Sequence, residues 1–185
     1  MLQIITLQLR MKIPITFTLI ALAHFYVYAQ GQVQFIQWNK YVNIKWSDFE
    51  GKADSRSPFT TMSAVGIHYK YSSLSIGDVI KIKFEISSKF DKTKSWSRKQ
   101  LQNEDVLRHE QLHFDISELV SRQFRKKAES ASYSKHYKNE IAAIFNRYTT
   151  YLEKLQKKYD DQTKHSKNKL RQKEWENILH RELLK

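Results

Sequence analysis

The sequence predicts an α+β domain, in which a small antiparallel or mixed sheet is followed by three packed helices. Two observations lead to this prediction. Residues 79–87, VIKIKFEIS, alternate apolar and charged side chains with the period of two that is typical of a half-buried strand. From residue 97 onward the apolar residues recur at helical spacing instead. Strands that come first and helices that come later favour a sheet covered on one face by helices.

The N-terminus has the pattern of a signal peptide. The apolar run IPITFTLIALAHFYVY follows Met11, and Ala29 is a plausible end of the cleaved segment. Met11 opens this pattern more naturally than Met1 does. The run is short for a membrane helix, so we expect no stable membrane span after cleavage. We therefore predict a signal peptide over residues 1–29, a single domain over residues 30–185, and a periplasmic or extracellular location.

Composition limits the classes of partner. The chain has no cysteine, so no disulfide supports the fold, and 41% apolar residues are enough for one core. Its net charge of +13 attracts anionic partners. Lysines and arginines are spread along amphipathic segments and no base-reading motif is present, which argues against specific nucleic-acid binding. For an exported protein, an anionic envelope polymer or a membrane surface is the better expectation.

Two further strands and a turn complete the predicted sheet. Residues 41–46, YVNIKW, and residues 62–71, MSAVGIHYKY, both alternate apolar and polar positions. Residues 48–59, DFEGKADSRSPF, are rich in loop-forming types and would connect these two strands. The sequence SIGD at residues 75–78 would then turn the chain back into the strand at 79–87.

Three helices are predicted after the sheet. Ser97 or Asn103 could cap the first of them. The second is the best defined, and the third begins at about Lys169. The apolar stripes that define the three helices are formed by Leu112, Ile116, Leu119, Val120 and Phe124; by Ile141, Phe145, Tyr148, Leu152, Leu155 and Tyr159; and by Trp175, Ile178, Leu179 and Leu183.

The first predicted helix carries His109, Glu110 and His113 in the spacing H-E-x-x-H. Residues four apart on a helix lie one turn above each other, so the two imidazoles can bind one zinc ion. Glu110 can take a proton from a water molecule whose pKa the metal lowers toward about 7. Chance would produce this pattern in such a chain about one time in a hundred. Two unremarkable histidines on a polar helix face are the competing interpretation.

A catalytic zinc also needs a third protein ligand and an open position. On the same helix, Asp115 and Glu118 are better suited to orienting the histidines or to ordinary charge pairing. The remaining candidates for the third ligand are His136, His165 and the acids shortly before His165, Asp160 and Asp161.

Several segments together resemble a known family of secreted bacterial proteins that are predicted to be zinc-dependent proteases and are described as a domain of unknown function. The most specific segment is HEQLHFDISEL, followed by Arg122. The other segments are IKWSDFEGK, the pair Ser95-Trp96, YDDQTKHS and QKEW. The resemblance covers roughly residues 41–183, which is almost all of the predicted domain.

The resemblance implies a zincin-like site in which His109 and His113 bind zinc, Glu110 is the general base and His165 is the third ligand. The expected function is an exported zinc-dependent hydrolase, acting as a peptidase on a peptide or protein substrate. Two neighbouring residues, Tyr159 and Asp160, could stabilise this site, although Tyr159 also fits a core position on its helix. The alternative is a non-catalytic, envelope-associated zinc-binding protein whose basic surface binds anionic polymers.

Overall fold

The computed structural model describes residues 34–77 and 79–184, all within one compact unit. Its strands form two antiparallel sheets. The larger sheet has the order β1-β4-β3, and the smaller one pairs β2 with β5. The strands are β1 (Phe35–Gln37), β2 (Thr61–Met62), β3 (Val65–Ile76), β4 (Val79–Asp91) and β5 (Trp96–Ser97).

The long β3–β4 hairpin is the main element of the larger sheet. Its register runs from Val65 opposite Phe90 to Ile76 opposite Val79. Gly77 has a φ of 57°, a left-handed conformation that glycine adopts without a side-chain clash. The predictions of a strand at 79–87 and of a turn before it are therefore confirmed, although Asp78 lies outside the described residues.

Three α-helices follow the sheets in the described part of the chain: α1 (Glu104–Ser130), α2 (Tyr137–Thr163) and α3 (Lys169–Leu183). Asn103 caps α1, since its side chain accepts a hydrogen bond from the backbone N–H of Val106 at 3.0 Å. Ser97, the other predicted cap, lies in β5 instead. Two short 3₁₀ helices, Trp46–Asp48 and Lys99–Leu101, come before α1.

The core lies between one face of α1 and the β3–β4 hairpin. Ile116, Val120 and Phe124 of α1 are fully buried and pack with Ile67 and Ile86 of the sheet. Apolar residues of α2 and α3 join the same cluster: Leu152, Tyr159, Leu179 and Leu183. The mixed α+β class, with antiparallel strands before three helices, is thus confirmed. None of the described helices is long and apolar enough to cross a membrane.

One predicted strand is wrong. Residues 41–45 have no regular structure, and a 3₁₀ helix begins at Trp46. Ile44 is nevertheless buried, and its backbone N–H donates to the side-chain oxygen of Gln111 on α1 at 2.9 Å. Apolar and polar residues alternate in this segment because one side of it packs on α1. Gln111 of α1 accepts the hydrogen bond from the backbone N–H of Ile44 that a neighbouring strand would otherwise accept. The predicted signal peptide over 1–29 lies outside the described residues.

Candidate metal centre

The N-terminal half of α1 buries the H-E-x-x-H side chains. His109, Glu110 and His113 are 4%, 5% and 7% exposed, which is unusual for three polar residues in five positions. The helix places the two imidazole rings one turn apart, with centroids 4.7 Å from each other and planes at 90°. This local geometry follows directly from the spacing in the sequence.

Asp160, near the end of α2, completes a cluster with the two histidines. Its Oδ1 atom lies 3.0 Å from Nε2 of His109 and 3.0 Å from Nε2 of His113. The two Nε2 atoms are 3.2 Å apart. Three potential metal-binding atoms from two helices therefore converge on one point.

Hydrogen bonding alone does not satisfy this triangle of atoms. A neutral imidazole carries one proton, on either Nδ1 or Nε2, and each N–H points along one direction. At most two protons on the Nε2 atoms can face three short contacts, so at least one contact is left without a hydrogen bond. A cation at the centre would satisfy all three atoms, which is the arrangement expected of a metal site.

The separations and the donor types fit zinc. Tetrahedral ligands about 2.0–2.1 Å from zinc lie about 3.3 Å from one another, close to the 3.0 to 3.2 Å measured among His109, His113 and Asp160. Two imidazole nitrogens and one carboxylate oxygen are also a common donor set of catalytic zinc sites. These residues could therefore hold zinc and leave further positions for other ligands.

Electrostatics favour a negative Asp160 in this cluster. Burial would raise the pKa of its carboxyl, but the hydrogen bonds with His109 and His113 outweigh burial and lower the pKa below its usual value. Burial likewise opposes protonation of His113, while Asp160 and the charge of Glu110 raise the pKa of His113 above its usual value. The site thus concentrates negative charge that stabilises a bound cation.

The ring of Tyr159 holds the two histidines in place. It stacks on His109 with centroids 4.6 Å apart and meets His113 edge-on at 5.0 Å. Tyr159 is fully buried, and its hydroxyl lies 3.5 Å from the backbone carbonyl of His109. Nδ1 of each histidine is buried without a hydrogen-bond partner among the described residues, so the rings are oriented by packing against Tyr159 and by the contacts of Nε2 with Asp160. This geometry matches the core interpretation of Tyr159.

His165 lies at the edge of the cluster. Its Nδ1 atom is 3.4 Å from Oδ1 of Asp160, its side chain is 52% exposed, and its ring contacts Phe59 at 5.3 Å between centroids. Lys164, His165 and Ser166 all have φ between 50° and 69°. Three successive left-handed residues without glycine are strained, a feature that concentrates at functional sites. The role of His165 as third ligand stays a prediction.

Two other predicted site residues contact different partners. Asp115 accepts hydrogen bonds from the indole N–H of Trp38 at 2.8 Å and from Gln111 at 3.0 Å. Glu118 accepts from Arg122 at 3.0 Å. Arg122 also donates to the backbone carbonyl of Leu183 at 2.9 Å, which ties α1 to the end of α3. These acids therefore connect α1 to its surroundings, whereas the structure brings Tyr159 and Asp160 to the histidines.

The cluster opens into a cleft of about 480 Å³. Residues 58–63, which include β2, form one wall, and α1, α2 and residues 165–167 form the other. The cleft residues that sequence reasoning missed are Pro58, Phe59, Thr60, Thr61, Met62, Ser63, Val106, Gln156, Ser166 and Lys167. A two-residue strand is too short for a periodic signal, so only the assignment of 48–59 as a loop pointed to this region.

Comparison with known proteins identifies a family and no characterised relative. Residues 53–166 match a family described as "Bacterial protein of unknown function (DUF922)". That span contains the H-E-x-x-H motif, Asp160, His165 and the β2 wall of the cleft. No curated protein matches the chain, and no solved structure matches it.

Proposed function

Because the chain belongs to DUF922, a bacterial family of unknown function, we propose its function from the candidate site: a zinc-dependent hydrolase with a zincin-like fold that acts as a peptidase. The observation that carries the proposal is the convergence of His109, His113 and Asp160 beside Glu110 in an open cleft. The signal-peptide pattern adds export to the proposal. Together these features describe an enzyme that hydrolyses peptides outside the cytoplasm.

Each side chain has a distinct task in this proposal. His109, His113 and Asp160 hold the metal, and the negative charge of Asp160 offsets part of the charge of the ion. Bound zinc would supply a Lewis acid that polarises a carbonyl and makes water acidic. Glu110 follows His109 directly on α1 and lines the cleft, where it takes the proton from the attacking water and passes it to the leaving amine.

The β2 wall supports a peptide substrate. Thr61 and Met62 pair with β5 on one side only, because the small sheet has two strands among the described residues. A strand that is paired on one side can bind an extended peptide along its other side through main-chain hydrogen bonds. A peptide bound there would run along the cleft beside the metal-binding atoms.

Substitution of Glu110 by glutamine tests the mechanism. We expect the Glu110→Gln protein to bind zinc in the same amount as wild type, and to hydrolyse a fluorogenic peptide library about 10² to 10⁴ times more slowly. Zinc content is measured on the same samples by elemental analysis. Glu104→Gln is the matched control, since Glu104 lies on the same helix and is exposed.

The outcomes separate the two candidate functions. Glu110→Gln protein that stays as active as wild type contradicts the role of Glu110. Bound zinc with no Glu110-dependent hydrolysis of any peptide in the library would instead support the non-catalytic, zinc-binding envelope protein. If the wild-type protein binds no zinc, zinc has no role in either of the two candidate functions.

A further inference from the structure

The tip of the β3–β4 hairpin exposes large aliphatic side chains. Leu74, Ile76 and Val79 are 58%, 56% and 57% exposed. The hydroxyl groups of Ser73 and Tyr137 lie 3.0 Å apart and join β3 to the start of α2. From Ser73 to Gly77 every residue of the hairpin is exposed. We call residues 74–77 together with Val79 the hairpin tip. Aliphatic residues gathered at an exposed turn are a feature that often marks an interaction surface.

The register places the three aliphatic residues on one face with two lysines. Leu74 pairs with Lys81 and Ile76 pairs with Val79, and cross-strand partners share a face of a sheet. Lys83 lies two residues beyond Lys81, so it points the same way. The alternate residues of β4, Ile80, Ile82 and Phe84, are half-buried on the helix side. The outer face of the hairpin is therefore apolar at its end and basic immediately behind.

We propose that the hairpin tip inserts into an anionic lipid surface. Leu74, Ile76 and Val79 would enter the boundary between headgroups and acyl chains, and Lys81 and Lys83 would contact the lipid phosphates. The long lysine side chains can keep their ammonium groups at headgroup level while the apolar tip lies deeper. Lipid binding of this kind does not depend on the proposed hydrolase activity.

Charge complementarity favours an anionic membrane over a second copy of the chain. The net charge of +13 makes two copies repel each other, whereas it attracts anionic lipid. A soluble anionic polymer would contact the lysines but would give the three aliphatic side chains no apolar surroundings. Of these three occupants, the lipid surface suits both the apolar end and the basic part of the outer face.

Single-cysteine labelling tests the proposal, because the natural chain contains no cysteine. An environment-sensitive fluorophore is attached at Ile76→Cys in the full chain. A second protein carries the label at Leu170→Cys, an exposed site on α3. Both proteins carry the same N-terminal segment, so any attachment through that segment is common to them. Each is mixed with phosphatidylcholine vesicles, with or without phosphatidylglycerol.

We expect a blue shift of the label at position 76 with phosphatidylglycerol vesicles and little change at position 170. Replacement of Lys81 or Lys83 by glutamine should weaken binding about fivefold for each lysine, and added salt should weaken it further. An unchanged label at 76 overturns the proposal, as do equal shifts at both positions. A blue shift of the label at position 76 that appears without vesicles when the protein concentration is raised would mean that the chain self-associates. That result would also overturn the proposal.

Discussion

Two groups of side chains that α1 buries, one in each half of the helix, lie in different surroundings. The N-terminal half buries His109, Glu110 and His113 beside an open cleft, whereas the C-terminal half buries Val120 and Phe124 against the sheet and the other helices. Apolar burial stabilises a fold directly, but burial of polar groups costs free energy unless each group finds a partner. The comparison teaches that the apolar contacts of Val120 and Phe124 stabilise the fold, whereas the burial of His109, Glu110 and His113 is an arrangement that packing alone would not favour.

Removal of the Phe124 ring should have the largest effect. This side chain is fully buried and contacts Tyr69, Phe145 and Tyr148. We expect Phe124→Ala to lower the free energy of unfolding by about 3–5 kcal/mol, measured by urea denaturation. Phe35→Ala is the matched control, because the side chain of Phe35 is already 41% exposed. Its free energy of unfolding should fall by less than about 1 kcal/mol. Equal losses would contradict the assignment of the core to this half of α1.

Asp160→Asn should have the next largest effect, on zinc affinity. We expect the affinity for zinc to fall by at least about 100-fold, because a direct metal ligand is lost. Loss of a residue that only hydrogen-bonds to a ligand already lowers metal affinity by about 10–100-fold. Competition with a chelator of known affinity measures it. Asp161→Asn is the matched control, since Asp161 is exposed and paired with Lys157 at 2.9 Å.

The same titration distinguishes Asp160 from His165. If Asp160 is the third ligand, His165→Ala should weaken zinc binding by about tenfold or less. A larger loss for His165→Ala than for Asp160→Asn would instead support the ligand that the family resemblance implies. Either result identifies whether Asp160 or His165 is the third metal ligand beside His109 and His113.

A smaller loss of stability is expected when a buried pair of serines between α1 and β4 is disrupted. Ser117 of α1 and Ser88 of β4 are fully buried, and Ser88 donates a hydrogen bond to Ser117 at 2.8 Å. Ser117→Ala should cost about 1–2 kcal/mol, because the donor on Ser88 loses its acceptor. The double variant should cost less than the two single losses added together, as a double-mutant cycle would measure. Strict additivity would mean that the pair does not interact in the folded protein.

The smallest effect is expected from a buried carboxylate that belongs to the fold. Burial raises the pKa of Asp91, but hydrogen bonds from Thr93 and Lys94, together with the Lys94 charge, outweigh it and lower the pKa below its usual value. The stabilisation is therefore complete above the unfolded pKa of about 3.9 and is lost as pH falls below it. Wild type should be more stable than Asp91→Asn at neutral pH, and this advantage should shrink in acid denaturation. A constant advantage down to pH 2 would contradict the lowered pKa.

Local periodicity explains which parts of the fold could be predicted. The strand at 79–87 and the helices that carry Phe124, Tyr159 and Leu179 repeat an apolar pattern over many residues, and each was found. The strands β1, β2 and β5 have two or three residues each, which is too short for a pattern to register. The predicted strand at 41–46 failed because alternation reports burial, and burial against α1 leaves the same pattern as pairing in a sheet.

The sequence by itself determined the pair of histidines and the glutamate between them, because a helix turns by a constant angle and places residues four apart on one face. Only the tertiary structure brought Asp160 within 3.0 Å of both Nε2 atoms, 47 and 51 residues along the chain. It also set the β2 wall across the cleft. Contacts between distant segments depend on how helices and sheets dock, and docking follows from the packing of the whole core, which no short motif encodes.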